Sequence, residues 1–463
     1  MNKKTIFIGI AFGTSVRDFL RTSAFINLKN RKDLEIVIFC QDLSENFKSE
    51  FSSDNIFFER LYDYEPNLFE RLLLILHRAL LSFQSNTIAL GNISANRISL
   101  KIGRPFAWFL KLCFGHYGAT KLIGKLYGCF NSGSMYCEHF NRYQPDLLVV
   151  TRVLNYSLDY PLLKSAAKHN VPAIALVSSW DNLTSKAFFP YKIERLVVWN
   201  SVMRDEAVRL YGFDEERICV TGVPRFDLYF RDFEKPNRKE FLESRGLHAA
   251  KKTILYATGS GTTTTSRYDR TSPEADICMH IASEIRSGVL DGVQLVVRLH
   301  PQADASHFNQ LKENFPEVLI DHPGQVAEFQ DRYFSRDDDY EYAGWLSNVD
   351  MVINFGSTAS VDAAVFDTPI LCINFDIRGD RPFLESPRKI YHFDHYRNVM
   401  NCGGIALSNR LSDLSKDILQ HLLDPSLLSS GRRRIVDQQC EFTDGAAGDR
   451  ISGAVLEFLE EGV

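Results

Sequence analysis

Short runs of Val, Ile, Leu and Phe recur along the whole chain, separated by stretches with helical patterning. A first series comprises Thr5–Ile10, Leu34–Cys40, Asn55–Phe58, Asp146–Val150, Ala173–Val177, Arg195–Trp199 and Arg217–Thr221. A second comprises Thr253–Ala257, Val293–Leu299, Val318–Ile320, Met351–Phe355, Pro369–Asn374 and Gly404–Leu407. Most of these runs are continuous rather than alternating, which predicts parallel strands covered on both faces. Strands separated by helices predict βαβ units with right-handed crossovers. Between the two series, residues 230–250 are polar and charged and contain Pro236. A chain of 463 residues also exceeds what one core ordinarily accommodates. The expectation is an α/β protein of two doubly wound, Rossmann-like domains, 1–235 and 236–463, with the last helix packing back on the first domain. Ligands are expected in the cleft between the domains, at the carboxyl ends of the strands.

Composition changes this picture in one place. Hydrophobic residues make up 45% and charged residues 24%, with a net charge of −5, which argues against disorder and against a nucleic-acid partner. The nine cysteines form no C-x-x-C pair, and Cys40, Cys219 and Cys372 fall in predicted strands, as expected of small core residues in a reduced, cytoplasmic compartment. Thr5–Ile10 reads as a buried strand rather than an export signal, and no uncharged apolar run reaches transmembrane length. Residues 71–137, however, contain no Asp or Glu and eight basic residues: Arg71, Arg78, Arg97, Lys101, Arg104, Lys111, Lys121 and Lys125. Phe106, Trp108, Phe109, Leu110, Phe114 and Tyr117 lie in the same span. Leu72–Leu81 predicts a helix carrying Arg78, with Arg71 just before it. Either the basic residues meet acidic neighbours in the fold, or the span docks on an anionic membrane surface at its cytoplasmic face. The second reading is preferred, because acid depletion over so long a span is unusual.

Candidate chemistry concentrates at predicted strand ends. Gly356, Ser357 and Thr358 follow the strand Met351–Phe355 and open a helix. A tight turn with hydroxyls and backbone N–H groups at a helix start suits a diphosphate. Asp362, about one turn further on, is a candidate acceptor of ribose hydroxyl hydrogen bonds. Gly259, Ser260, Gly261 and Thr262 form a glycine- and hydroxyl-rich turn after Thr253–Ala257, suited to a phosphate or a sugar. It is neither a Walker motif nor a dinucleotide fingerprint. The acidic run Asp337–Asp339 reads as a solvated loop rather than a metal site, and no Cys/His cluster has metal-ligand spacing.

The run GSTASVDAAVFDTPIL, residues 356–371, resembles the carboxyl-terminal sugar-nucleotide motif of GT-B glycosyltransferases. That superfamily also holds the UDP-N-acetylglucosamine 2-epimerases and the CDP-glycerol glycerophosphotransferases. In the motif a glutamate seven residues before a proline binds ribose; here Asp362 stands seven residues before Pro369, with a shorter side chain. Val297–Pro301 resembles the His-Pro element at the phosphate site of the glycerophosphotransferases, which implies that His300, with Arg298 beside it, helps the nucleotide leave. Ser179-Trp180-Asp181-Asn182 resembles a run in the acceptor domain of related proteins. It implies Asp181 as general base, with Asp18, after the Gly9–Gly13 turn, as the rival, and with Trp180 stacking on a sugar. Thr221–Asp227 resembles the segment that closes the amino-terminal domain. The resemblance implies a metal-independent glycosyltransferase without cofactor. It would move a sugar from a nucleotide-sugar donor to a glycan or lipid-linked acceptor in surface-polysaccharide synthesis. The alternatives are a polyol-phosphate transferase, an epimerase-like isomerase and a non-catalytic sugar-nucleotide-binding subunit.

Overall fold

A computed structural model describes residues 3–94, 98–130, 135–154, 157–259, 272–301, 303–324 and 335–461. The first seven strands are β1 (Lys4–Ile10), β2 (Leu34–Cys40), β3 (Ile56–Arg60), β4 (Leu147–Val150), β5 (Ala173–Leu176), β6 (Arg195–Val198) and β7 (Ile218–Val220). They form one sheet in the order β3-β2-β1-β4-β5-β6-β7. The remaining strands are β8 (Lys252–Ala257), β9 (Val293–Arg298), β10 (Leu319–Asp321), β11 (Met351–Asn354), β12 (Ile370–Ile373) and β13 (Ala406–Ser408). They form a second sheet, β10-β9-β8-β11-β12-β13. Every pairing between these strands is parallel. Each predicted run lies on a strand, because a strand covered on both faces needs apolar residues throughout. β4, β5, β9, β11 and β12 are buried along their whole length.

Both sheets reverse their winding once, between β1 and β4 and between β8 and β11. At such a point the connecting segments diverge and leave a crevice at the carboxyl edge. The chain divides into two compact units. The first comprises residues up to 231 together with those from 440 onward; the second runs from 232 to 439. In the first unit Phe7 packs against Phe39 and Phe140, each at 4.9 Å between ring centres. In the second, Tyr256, Val297, Ile353 and Leu371 are fully buried. The helix Ala447–Glu461 lies in the first unit. There Asp227 accepts from Ala447 N at 2.9 Å and Gly448 N at 2.8 Å, and Asn27 Nδ2 donates to Asp449 Oδ1 at 2.9 Å.

Among the described residues the acid-free span carries a short helix, Asn86–Ser94, between two longer ones, Leu68–Leu81 and Ile98–Phe130. The first begins earlier than the sequence suggested, so Arg71 lies inside it. Asn67 caps it in a capping box with Glu70. The second breaks at Gly115, whose φ of 67° and ψ of 175° lie outside helical geometry. Before the break, Ala107 and Leu110 are buried, whereas Phe106, Trp108, Phe109, Leu112 and Phe114 are exposed. Arg71 pairs with Glu65 at 3.4 Å, and Lys111 lies 5.1 Å from the centre of the Phe83 ring. Arg97 and the side chain of Lys101 lie outside the described residues.

Asp337–Asp339 is not a loop. These residues form the first turn of the helix Arg336–Asn348. Ser335 caps that helix and exchanges hydrogen bonds with Asp338, whose other oxygen accepts from Gly324 N at 3.0 Å. Carboxylates at a helix start meet the positive end of its dipole, which explains why three in a row are helical here.

Candidate functional site

In the second unit the reversal point gathers most of the residues that the sequence singled out. β8 ends at Ala257 and runs into Thr258 and Gly259. Beside it, β9 ends at Arg298 and runs into Leu299 and His300. Thr258 ties the two strand ends together: its N–H donates to Arg298 O at 3.0 Å, and its Oγ1 accepts from His300 N at 2.8 Å. Gly259 N donates to Oε1 of the buried Glu274 at 2.9 Å. Ser260, Gly261 and Thr262 lie outside the described residues. On the other side of β8, β11 delivers Gly356, Ser357 and Thr358, all half-exposed.

Asn354 shapes that turn. Its Oδ1 accepts from Gly356 N at 2.7 Å and from Ser357 N at 3.0 Å. Gly356 has φ 74°, and a side chain there would press on Ile390, Tyr391 and Tyr396 at 3.0–3.3 Å. The expectation of open backbone N–H groups is therefore corrected, since two of them are satisfied by Asn354 and Ala359 N donates to Ser357 Oγ at 3.2 Å. The Ser357 and Thr358 hydroxyls remain at the half-exposed turn. Ser360 is fully buried, bonded to Asn354 Nδ2 at 3.1 Å and Tyr396 OH at 2.9 Å. Arg298 is buried as well, paired with Asp321 and 4.9 Å from the Tyr342 ring centre. Asp362 is 1% exposed, inside the seven-residue helix Ala359–Val365.

In the first unit the two candidate bases lie on different strand ends. Asp18 follows β1, in a π-helical turn Val16–Leu20, and holds Arg17 in a two-point ion pair, 2.6 and 3.2 Å. Asp181 follows β5 and starts the short helix Asn182–Ser185. Its carboxylate accepts from Asn182 Nδ2 at 3.0 Å and lies 3.3 Å from Lys186 Nζ. Trp180 is buried, so its ring is not presented for stacking as the sequence suggested. Thr221, Val223, Pro224 and Arg225, which read as a boundary segment, line a pocket together with Asp18.

One ionisable residue escaped the sequence reading. Asp159 is fully buried beneath the β1 end: a Cβ on Gly9 would stand 2.6 Å from Asp159 Oδ1. That oxygen has no hydrogen-bond partner among the described residues, while Ser157 Oγ donates to Oδ2 at 3.3 Å. Burial raises its pKa from 3.8 to about 7, against the opposing influence of Ser157 and Arg152. No motif marks it. Its position depends on the close approach that Gly9 permits.

Two parallel sheets, each with one reversal point, define a protein of the GT-B fold class. Comparison with known proteins agrees. The UDP-N-acetylglucosamine 2-epimerase from Neisseria meningitidis, bound to UDP-GlcNAc, superposes with a TM-score of 0.52, 10% identity, and coverage of 98% of this chain and 100% of that one. The wall teichoic acid polymerase TagF gives 0.51, 12% identity, and coverage of 100% and 90%. A glycosyltransferase from Rickettsia africae gives 0.51, 12%, and coverage of 100% and 99%. At these identities the likeness establishes the fold. No curated protein matches the sequence. Residues 177–457, more than half of the chain, match the family model described as CDP-Glycerol:Poly(glycerophosphate) glycerophosphotransferase, and the chain belongs to that family of transferases.

Proposed function

We propose that the chain transfers a group from a nucleoside-diphosphate-linked donor to a hydroxyl of a glycan or lipid-linked acceptor in surface-polysaccharide synthesis. The observation that carries this reading is the reversal point of the second sheet. It aligns Thr258–Gly259, His300 and Ser357–Thr358 on three neighbouring strand ends in a member of a nucleotide-dependent transferase family. There the His300 ring and the two hydroxyls donate to phosphate oxygens and stabilise the departing nucleotide. Arg298 supports His300 from the buried strand rather than touching the donor. Asp362, buried, supports the turn. The first unit supplies the acceptor side, with Asp181, or else Asp18, taking the proton of the attacking hydroxyl.

The group transferred is a sugar. In that case the hydroxyl oxygen bonds to the anomeric carbon, the bond from that carbon to oxygen breaks, and a nucleoside diphosphate departs. The family match favours a second reading, transfer of a polyol phosphate. Then the hydroxyl attacks the phosphorus next to the polyol, the bond between the phosphates breaks, and a nucleoside monophosphate departs. Structural neighbours with UDP, UDP-GlcNAc and CDPG in their descriptions support a diphosphate donor without choosing between the two. The exposed apolar side chains between Phe106 and Phe114 support work at a membrane surface, where a lipid-linked acceptor resides. Turnover with UDP-sugars and with CDP-glycerol, followed by nucleotide chromatography and phosphorus NMR of the product, tests the reading. Nucleoside diphosphate with no new phosphodiester in the product is expected. Nucleoside monophosphate with a phosphodiester product would establish the second reading, and no turnover of either donor class would defeat both.

A further inference from the structure

The carboxyl edge of the first sheet carries a pocket that the donor chemistry does not use. Its polar lining includes Ser15, Asp18, Ser178, Thr221 and Arg225, and Trp199 stands among apolar wall residues. These residues come from the ends of β1, β5, β6 and β7, on both sides of the reversal point. Ser15 is 2% exposed, and its Oγ has no hydrogen-bond partner among the described residues. A buried hydroxyl without a partner carries a desolvation cost that a bound polar group would relieve.

The electrostatics narrow what that group is. Asp18 opposes an anion, and Arg17 already balances Asp18 at 2.6 Å. Arg225 is stacked 4.3 Å from the centre of the Phe226 ring. A neutral hydroxylated group suits this lining of a paired carboxylate, a stacked arginine and hydroxyls. The wall needs C–H groups to cover it, while Ser15 and Asp18 need a hydroxyl. The space is small, about 30 Å³. A water needs roughly 10–15 Å³ by the same measure, so two or three heavy atoms fit.

We infer that this pocket takes a hydroxymethyl or comparable hydroxylated carbon of a sugar or polyol, with Ser15 donating to its oxygen and Asp18 accepting its hydroxyl hydrogen. The inference rests on the reading of the first unit as the acceptor side, and gives that side a chemical class of ligand. Ser178 connects the pocket to the candidate base loop, since its Oγ donates to Asn182 Oδ1 at 3.2 Å, next to Asp181.

Saturation-transfer NMR on the full chain tests this, with glycerol and glucose as probes and with wild type, Ser15→Val and Ser15→Ala. At least one probe is expected to bind the wild type. Ser15→Val fills the space and abolishes the signal. Ser15→Ala weakens binding about tenfold, the value of one lost hydrogen bond. If the valine variant does not fold, the alanine variant carries the comparison. No binding of either probe to wild type, or equal binding to all three proteins, overturns the inference. Calorimetry of the same proteins with UDP and CDP separates the two readings. Nucleotide binding that survives Ser15→Val alongside lost probe binding supports the pocket. Probe binding as expected without any nucleotide binding also supports the pocket, while removing the donor reading.

Discussion

Asp159 shows how one residue records the demands of the fold. Its carboxyl group sits under the end of β1 because Gly9 leaves room for it, and burial holds it largely protonated up to about pH 7. Below about pH 4 the folded and unfolded chains both carry this proton. As pH rises from there, the unfolded chain releases the proton and the folded one keeps it, so stability falls until the folded group titrates near 7. The total is on the order of 4 kcal/mol for a shift of this size. Asp159→Asn removes the titration while keeping the shape. Its melting temperature should therefore gain on wild type between pH 4 and pH 8. A gap that stays constant across that range, measured by calorimetry, would mean that the carboxyl group ionises freely in the folded state.

At the scale of elements, the Phe106–Phe114 stretch of the long helix is the most unusual surface. Phe106, Trp108, Phe109 and Leu112 are all about half or more exposed, and nothing among the described residues covers them. Lys111, Lys121 and Lys125 lie on the same helix, in a span with no acid to offset them. Each basic residue near an anionic bilayer contributes about 1 kcal/mol, and each buried aromatic or leucine side chain about 1.5–3 kcal/mol. Co-sedimentation with anionic liposomes should be strong at low salt and weaker at high salt. Replacing Trp108, Phe109 and Leu112 by serine should lower partitioning at least a hundredfold with little effect on stability. Binding unchanged by the triple replacement, or absent from all liposomes, would return the face to ordinary solvent exposure.

The strands were legible because parallel strands buried on both faces must be apolar throughout, and few other segments are. The strand-end turns were legible because glycine and hydroxyls cluster there. What stayed hidden depended on tertiary geometry. Asn354 takes the N–H groups of Gly356 and Ser357, an exchange that no spacing announces. The apparent loop Asp337–Asp339 is helical because Ser335 caps it and Asp338 answers the cap. Trp180, polar-flanked in sequence, turned inward, and Trp199 took the place at the pocket.

At the scale of the molecule, the acidic run is spent on starting a helix, and Asp338 is bonded to Ser335 and Gly324. Transfer is therefore expected to continue within about twofold after treatment with EDTA. Activity lost to EDTA and restored by magnesium or manganese would require a metal on the donor. The continuity of the chain has a separate consequence. The first unit is interrupted by the whole of the second and is finished only by residues from 440 onward. Ile451, from that closing helix, lines the pocket beside Ser15 and Asp18. During synthesis the seven strands of the first sheet leave the ribosome more than two hundred residues before Ile451 does. A nascent or truncated chain thus carries a sheet without its last wall. The pocket becomes complete only when translation has passed the entire second unit, so that under the proposed function the acceptor side would be finished after the donor side.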